Sequence, residues 1–380
     1  MIKRIAVRGV GARHWVPAMS TNWMLLKPIL SQFSDACQPT SVQYLGNHGG
    51  FSGARLWRLE TSLGPLCLRA WPSELPSDRQ LAFMHATLRH VRAQGLTFIP
   101  APLRTRTGKT FVRHQSGLWE LTHWMPGSAD YHSNPSPTRL RAALRALARF
   151  HVAAITPDGH DPIGPSPTMK RRFEELRAFV NGPAASEMRD RVPDGRWPEL
   201  DLLAERLLEQ VRARRDYLNT LLEKPLVQVT QQPVIRDIWH DHILFDGDEV
   251  SGLIDFGAMS VDTVAVDVAR LLGSLVDGDE SAWDQGLRAY SELRPLSMDL
   301  RDLVRTLDHT GVFAGGLVWL RWHYLENRSF ENPEGVLARV NHFLHRLETL
   351  NGCSTDRALE SWRDPRKKNG FKAHTALTDS

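Results

Sequence analysis

Apolar and polar positions alternate from residue 41 to residue 71, and the period then changes. Val42 to Leu45, Leu56-Trp57-Arg58-Leu59 and Leu66-Cys67-Leu68-Arg69-Ala70-Trp71 repeat with the period of two expected of strands. A glycine cluster, Gly46 to Gly53, separates the first two, and Gly64-Pro65 marks a turn before the third. The prediction is strand, glycine loop, strand, turn, strand. Over residues 78–94, Leu81, Met84, Leu88 and Val91 fall at helical spacing. Phe98-Ile99-Pro100, Thr110-Phe111-Val112 and Glu120 to Met125 read as further strands, the last ended by Pro126-Gly127.

From residue 137 the helical period takes over. Leu140, Leu144, Leu147, Phe150 and His151 form one stripe, and residues 168–180 and 199–222 form two more helical stretches. Asn181 to Pro198, rich in Pro, Gly and Asp, reads as a loop. Leu226 to Ile235, Ile243 to Phe245 and Val250 to Ile254 return as short strands. Residues 262–275, 280–293, 298–326 and 332–350 close the chain as helices. The order predicts an α+β protein with an N-terminal antiparallel β lobe and a C-terminal mainly helical lobe. The expected boundaries are an extension at 1–24, a first lobe at 25–126, a second at 127–352 and a basic, disordered tail at 353–380. Met19 and Met24 are alternative starts.

Composition narrows the function classes. The 380 residues are 42% hydrophobic and 24% charged, with a net charge of +4, which is ordinary for a globular chain. Cys37, Cys67 and Cys353 form no C-x-x-C pair, so neither a disulfide framework nor a zinc ribbon is expected. A reducing, cytoplasmic location follows. No apolar run has the length of a membrane span, and neither a basic face nor a nucleic-acid motif is present.

The most informative segment runs Val234-Ile235-Arg236-Asp237-Ile238-Trp239-His240-Asp241-His242-Ile243-Leu244-Phe245-Asp246-Gly247. One strand later comes Leu253-Ile254-Asp255-Phe256-Gly257. A strand–turn–strand unit of this length can bring Asp237 and Asp255 to one mouth. Phosphoryl transfer uses such a pair: one carboxylate orients and deprotonates a hydroxyl, and the other holds a divalent cation against phosphate oxygens. Taken singly, each aspartate reads as a turn residue. The glycine segment upstream, with Gly49, Gly50 and Gly53, adds backbone N–H groups that can approach phosphate.

These residues resemble the aminoglycoside phosphotransferase family, which includes choline kinase-like and homoserine kinase-like enzymes. The family's catalytic loop reads H-G-D-x-x-x-x-N, followed by a strand ending I-D-F or I-D-W. The resemblance implies a two-lobed, protein-kinase-like fold and ATP-dependent transfer of the γ-phosphate to a small-molecule hydroxyl. It makes Asp237 the base and His242 and Asp255 the ligands of Mg²⁺, with Mn²⁺ or another divalent cation as substitutes. It assigns nucleotide contacts to Gly49, Gly50, Ser52, Gly53 and Arg69, and to Leu121, Thr122 and His123 of the connecting strand. Asp267-Val268-Ala269-Arg270 resembles the D-x-A helix start, whose aspartate supports the loop. Glu120 to Gly127 and Ala146 to His151 resemble two further family segments, and Trp319 and Trp322 fall where relatives line the acceptor pocket. The chain departs from the pattern at Ile235 and Arg236, which replace His-Gly, at His242, which replaces Asn, and at Arg69, which stands where Lys is common. No acidic residue lies between Arg79 and Leu96, where the family places a glutamate, and Glu74 and Asp78 are the nearest substitutes.

Two other readings stand beside the kinase. A nucleotide-binding scaffold without turnover would bind ATP and transfer nothing. A metal-dependent phosphohydrolase built on His240-Asp241-His242 would carry a stoichiometric transition metal. The acceptor's identity and the oligomeric state are not legible in the sequence.

Overall fold

The computed structural model describes residues 22–47, 53–73, 76–155 and 162–350. Gly49, Gly50, Ser52, Glu74, Cys353, the first residues up to 21 and the 353–380 tail lie outside them. The chain divides into two compact units. Of the described residues, 22–47, 53–73 and 102–124 form the first, and 76–101, 125–155 and 162–350 form the second.

The first unit is an antiparallel sheet with a helix packed into its core. Helix α1 (Asn22–Leu30) precedes strands β1 (Pro39–Gly46), β2 (Arg55–Thr61), β3 (Gly64–Ala70), β4 (Val112–His114) and β5 (Gly117–His123), ordered β1-β2-β3-β5-β4. The period of two decides which face is buried. Trp57 and Leu59 of β2, Leu66 and Leu68 of β3, and Trp119 and Leu121 of β5 join Leu26, Ile29 and Leu30 of α1 in one core. Trp57 and Trp119 stack there, with ring centroids 5.3 Å apart. At Gly53 the backbone takes a φ of +72°, a conformation that glycine adopts without steric cost.

The second unit is mainly helical. It begins with α2 (Asp78–Ala93), whose start is fixed by a reciprocal capping box between Ser77 and Gln80. Helices α3 (Pro137–Ala153), α4 (Pro167–Asn181), α5 (Ala184–Arg191), α6 (Pro198–Ala213) and α7 (Arg215–Glu223) follow, with strand β6 (Ile163–Pro165) between α3 and α4. Strands β7 (Gln228–Thr230), β8 (Gln232–Val234), β9 (Ile243–Asp246), β10 (Glu249–Leu253) and β11 (Ser260–Asp262) come next, paired as β6 with β7, β8 with β11 and β9 with β10. Helices α8 (Ala265–Leu275), α9 (Glu280–Ser291), α10 (Met298–Leu320) and α11 (Pro333–Thr349) complete the unit. None of the described helices is long and apolar enough to cross a membrane.

The predicted elements differ from the observed ones in a few places. Phe98-Ile99-Pro100 is a turn rather than a strand, although the Phe98 carbonyl still accepts from Leu253 N–H at 2.9 Å. The expected loop at Asn181 to Pro198 contains α5, which buries Met188. The 199–222 stretch breaks at Arg214, whose guanidinium donates to the carbonyls of Glu348 and Leu350. The last predicted turn of α10 is a π-helical segment, Arg321–Leu325.

Candidate active site

The site grows from the loop after β8. Ile235, Ile238 and Trp239 are buried and anchor this loop, while the Asp237 side chain remains 54% exposed. Arg236 adopts a φ of +69°, the left-handed region that costs a side chain about 1–2 kcal/mol. That conformation accounts for glycine at this place in the family pattern. A short 3-10 turn, His240–His242, leads into the β9–β10 hairpin. Ile243 pairs with Leu253, and Ile254 N–H donates to the His242 carbonyl at 3.0 Å, so the hairpin returns Asp255 beside His242. Asp255 also takes a positive φ, +61°.

His242 links the two aspartates. Its Nδ1 lies 2.8 Å from the backbone carbonyl of Asp237, and its Nε2 lies 3.6 Å from Asp255 Oδ2. A carbonyl only accepts, so Nδ1 carries the proton, and in the neutral ring the Nε2 lone pair faces the carboxylate. Two electron-pair donors facing each other suit a divalent cation, and the donor set therefore fits one. Among the described residues no third His, Cys, Asp or Glu completes a ligand cluster. Two protein ligands are enough where phosphate oxygens and water supply the rest.

Asp267, in the first turn of α8, holds the loop from behind. It is fully buried, and its carboxylate accepts from Ile235 N–H at 2.7 Å and from Arg236 N–H at 2.6 Å. His151 Nε2 lies 3.0 Å from the same carboxylate, and Tyr290 Oη lies 2.8 Å from His151 Nδ1. Burial lowers the His151 pKa despite the opposing pull of Asp267, so the ring is neutral. Its Nε2–H then donates to Asp267, and Nδ1 accepts from the Tyr290 hydroxyl. His151 is thus a buried, doubly hydrogen-bonded histidine. The network restrains the loop at the strained Arg236 linkage.

The Asp237 carboxylate has a cationic neighbour that the sequence does not reveal. Arg270, one turn after Asp267 on α8, donates to Asp237 Oδ1 at 2.9 Å. Partial desolvation in the cavity wall pushes the Asp237 pKa up, but the guanidinium groups of Arg270 and Arg339 outweigh it and hold the carboxyl below its ordinary range. Asp237 is therefore ionised at neutral pH and able to accept a proton. Arg270 and Arg339 lie over the Trp239 ring, 4.6 Å and 4.1 Å from its centroid. A cavity of about 200 Å³ has Asp237, Arg270 and Trp239 in its wall, together with Leu307 and Gly311 of α10. Trp319 and Trp322 are not in that wall. At 1.5 Å per residue, Trp319 stands about 12 Å further along α10 than Gly311. It packs edge-on to Trp322 at 4.9 Å, and Tyr324 Oη donates to Asp201 at 2.7 Å.

In the first unit, Arg69 of β3 stands opposite Glu120 of β5, with Nε 3.6 Å from Oε1, and its guanidinium lies 4.8 Å from the Trp71 ring centroid. Glu120 is buried. A strand thus supplies Arg69 with an acidic partner, where the sequence directs attention to Glu74 and Asp78. The signal for it was a charged residue set among the apolar Leu118, Trp119 and Leu121. Leu121 is buried, and its carbonyl accepts from Leu103 N–H at 2.8 Å, so this group is already engaged by the segment before β4. Thr122 and His123 pair with Cys67 and Leu66.

Comparison with known proteins gives a consistent result. The model of the phosphotransferase enzyme family matches residues 44–303. A homoserine kinase of Rhizobium rhizogenes is 28% identical over 264 residues, covering 68% of this chain and 74% of that protein. A homoserine kinase of Methylobacterium nodulans is 27% identical, covering 63% and 68%. Among solved structures, a spectinomycin phosphotransferase in complex with ADP and spectinomycin superposes with a TM-score of 0.63 at 13% identity, covering 89% of this chain and 97% of that one. An aminoglycoside phosphotransferase of Alicyclobacillus acidocaldarius gives 0.54 at 18% identity, covering 92% and 99%. These structural likenesses establish the kinase-like fold.

Proposed function

The chain belongs to the phosphotransferase enzyme family, and on that premise we propose that it transfers the γ-phosphate of ATP to a hydroxyl of a small molecule. The observation that carries the reading is the His242 ring, in contact with both the Asp237 carbonyl and the Asp255 carboxylate. Relatives named homoserine kinase agree with a small hydroxyl compound as acceptor. A cytoplasmic location is part of the proposal.

In this reading Asp237 orients the acceptor hydroxyl and takes its proton. The hydroxyl oxygen bonds to the γ-phosphorus as the bond from that phosphorus to the β–γ bridging oxygen breaks. ADP leaves with the electron pair, and Asp237 later returns its proton to solvent. His242 and Asp255 would hold a divalent cation, Mg²⁺ or Mn²⁺, which neutralises charge on the phosphate oxygens. An amicoumacin kinase of the same fold was solved with AMP-PNP and Ca²⁺. Asp267 keeps the loop backbone in place, and Arg270 keeps Asp237 ionised. For the nucleotide, the proposal retains Arg69, the backbone of Thr122 and His123, and the glycine segment Gly49, Gly50, Ser52 and Gly53. Glu120 replaces the helix glutamate as the partner that orients Arg69.

A thermal-shift series with ATP or GTP, each with Mg²⁺, Mn²⁺ or Zn²⁺, tests nucleotide binding before an acceptor is known. Saturation at one hundred times Kd stabilises by about 2.7 kcal/mol. A metal-dependent rise with ATP supports the proposal. No rise with any nucleotide would sink it, and ATP binding without transfer to any hydroxyl would leave a scaffold.

A further inference from the structure

The cavity beside Asp237 carries more positive charge than the transfer reaction needs. Arg172 of α4, Arg236, Arg270 and Arg346 of α11 all line it, against two carboxylates, Asp237 and Asp308. Both carboxylates are engaged: Arg346 donates to Asp308 at 2.7 Å and Arg270 to Asp237 at 2.9 Å. Arg172 donates to the Leu307 carbonyl at 2.5 Å, a neutral partner. Neither Arg172 nor Arg236 has a carboxylate within 4.0 Å among the described residues. Burial lowers the pKa of both guanidinium groups. Arg270 and Arg171 lower that of Arg172 further and Arg171 that of Arg236, and the carboxylates nearby, Asp308 and Glu175 for Arg172 and Asp262, Asp267 and Asp237 for Arg236, offset only part of this. An anion bound here would relieve that crowding. His342, also in the wall, is neutral, because burial and the surrounding arginines hold its pKa near 3.

Resting on the kinase reading of the same site, we infer that the phosphate acceptor brings a negative charge of its own. The class is a small hydroxyl compound of net negative charge, bearing a carboxylate or a phosphate and no ammonium group, with Arg172 and Arg236 as its anion-binding residues. Planar guanidinium forks suit both oxyanions. An ammonium group on the acceptor would find both wall carboxylates already paired, which disfavours polyamines, choline-like alcohols and amino acids. The volume, about 200 Å³, is that of about seven water molecules, so the acceptor has few carbons.

The test uses matched alcohols with the purified full chain, ATP and Mg²⁺. ADP release is followed with 4-hydroxybutyrate, glycerol 3-phosphate, 1,4-butanediol, homoserine and choline. The two anions should exceed the neutral, zwitterionic and cationic alcohols in kcat/KM by about tenfold or more, as expected for a charge-assisted contact. Which of the two leads tells carboxylate from phosphate. Preference for butanediol, homoserine or choline would overturn the inference while leaving the kinase reading intact. A second measurement does not need turnover. Inorganic phosphate, at constant ionic strength, should raise the melting temperature of the unaltered chain. Arg236→Gly and Arg172→Gln should each weaken the apparent phosphate affinity by about tenfold. Arg236→Gly removes the charge at a backbone conformation that glycine adopts readily, so a loss there reports binding rather than misfolding. An unchanged phosphate response in both variants would overturn the inference even if no alcohol is turned over.

Discussion

Asp267→Ala removes the acceptor from three donors at once. Ile235 N–H, Arg236 N–H and His151 Nε2 all meet this carboxylate, at 2.7, 2.6 and 3.0 Å, and the carboxylate is fully buried. An unsatisfied buried donor costs about 1–3 kcal/mol. The three share one network, so their costs are not additive, and a total loss of about 3–6 kcal/mol is expected. With a urea m-value of about 3 kcal/mol/M, the midpoint should fall by about 1–2 M. Tryptophan fluorescence reports the transition, since Trp239 and Trp283 are buried in this unit. Asp267→Asn keeps one acceptor oxygen and should lie between the two proteins. ATP turnover should fall in both variants, because the freed loop no longer fixes Asp237. A midpoint for Asp267→Ala within about 0.3 M of the unaltered protein would refute the claim that this carboxylate holds the loop.

Three further outcomes follow from the same structure. Arg236→Gly should raise stability by about 0.5–1 kcal/mol in urea melts, the net of relieved left-handed strain and added unfolded-state entropy; a fall would show that the Arg236 side chain stabilises the loop. Glu120→Gln should destabilise by about 3 kcal/mol and weaken ATP binding, because it strips the buried strand partner from Arg69; unchanged ATP affinity would detach Arg69 from the nucleotide. Stability should also fall as the pH drops through 6.5 toward 4. His309 is buried and His342 half-buried, with pKa values lowered to about 4 and 3, so the unfolded chain takes up protons that the folded one refuses. The loss at pH 5 is about 2 kcal/mol for each histidine, and a urea midpoint that is flat from pH 8 to pH 5 would contradict it.

The sheet and the main helices were legible because each buries one face, and the period shows in the residues. Trp57 and Leu59, or Leu140, Leu144 and Leu147, need no partner to be recognised. The hairpin from Ile243 to Leu253 was legible as well, since Asp246-Gly247 supplies a turn and the flanking positions are apolar. Contacts between distant residues were not. Arg270 is thirty-three residues from Asp237, and its role depends on the angle at which α8 meets the loop. Glu120 pairs with Arg69 only through the β3–β5 register, which local pattern does not fix. Helix α1 crosses the expected boundary at residue 24 and was not predicted as an element, yet Leu26, Ile29 and Leu30 are wholly buried because the sheet offers them an apolar face. The break at Arg214 is set by the carbonyls of Glu348 and Leu350, far along the chain.

Asp237→Asn tests the central claim most directly, with nucleotide binding and phosphoryl transfer measured on the same preparations. The substitution keeps the side chain's size and removes its capacity to take a proton. ATP affinity in the presence of Mg²⁺ should stay within about threefold, while transfer to the best acceptor should fall by about 10²–10⁴-fold. Transfer at the unaltered rate by the Asp237→Asn protein would contradict the assignment of Asp237 as the base.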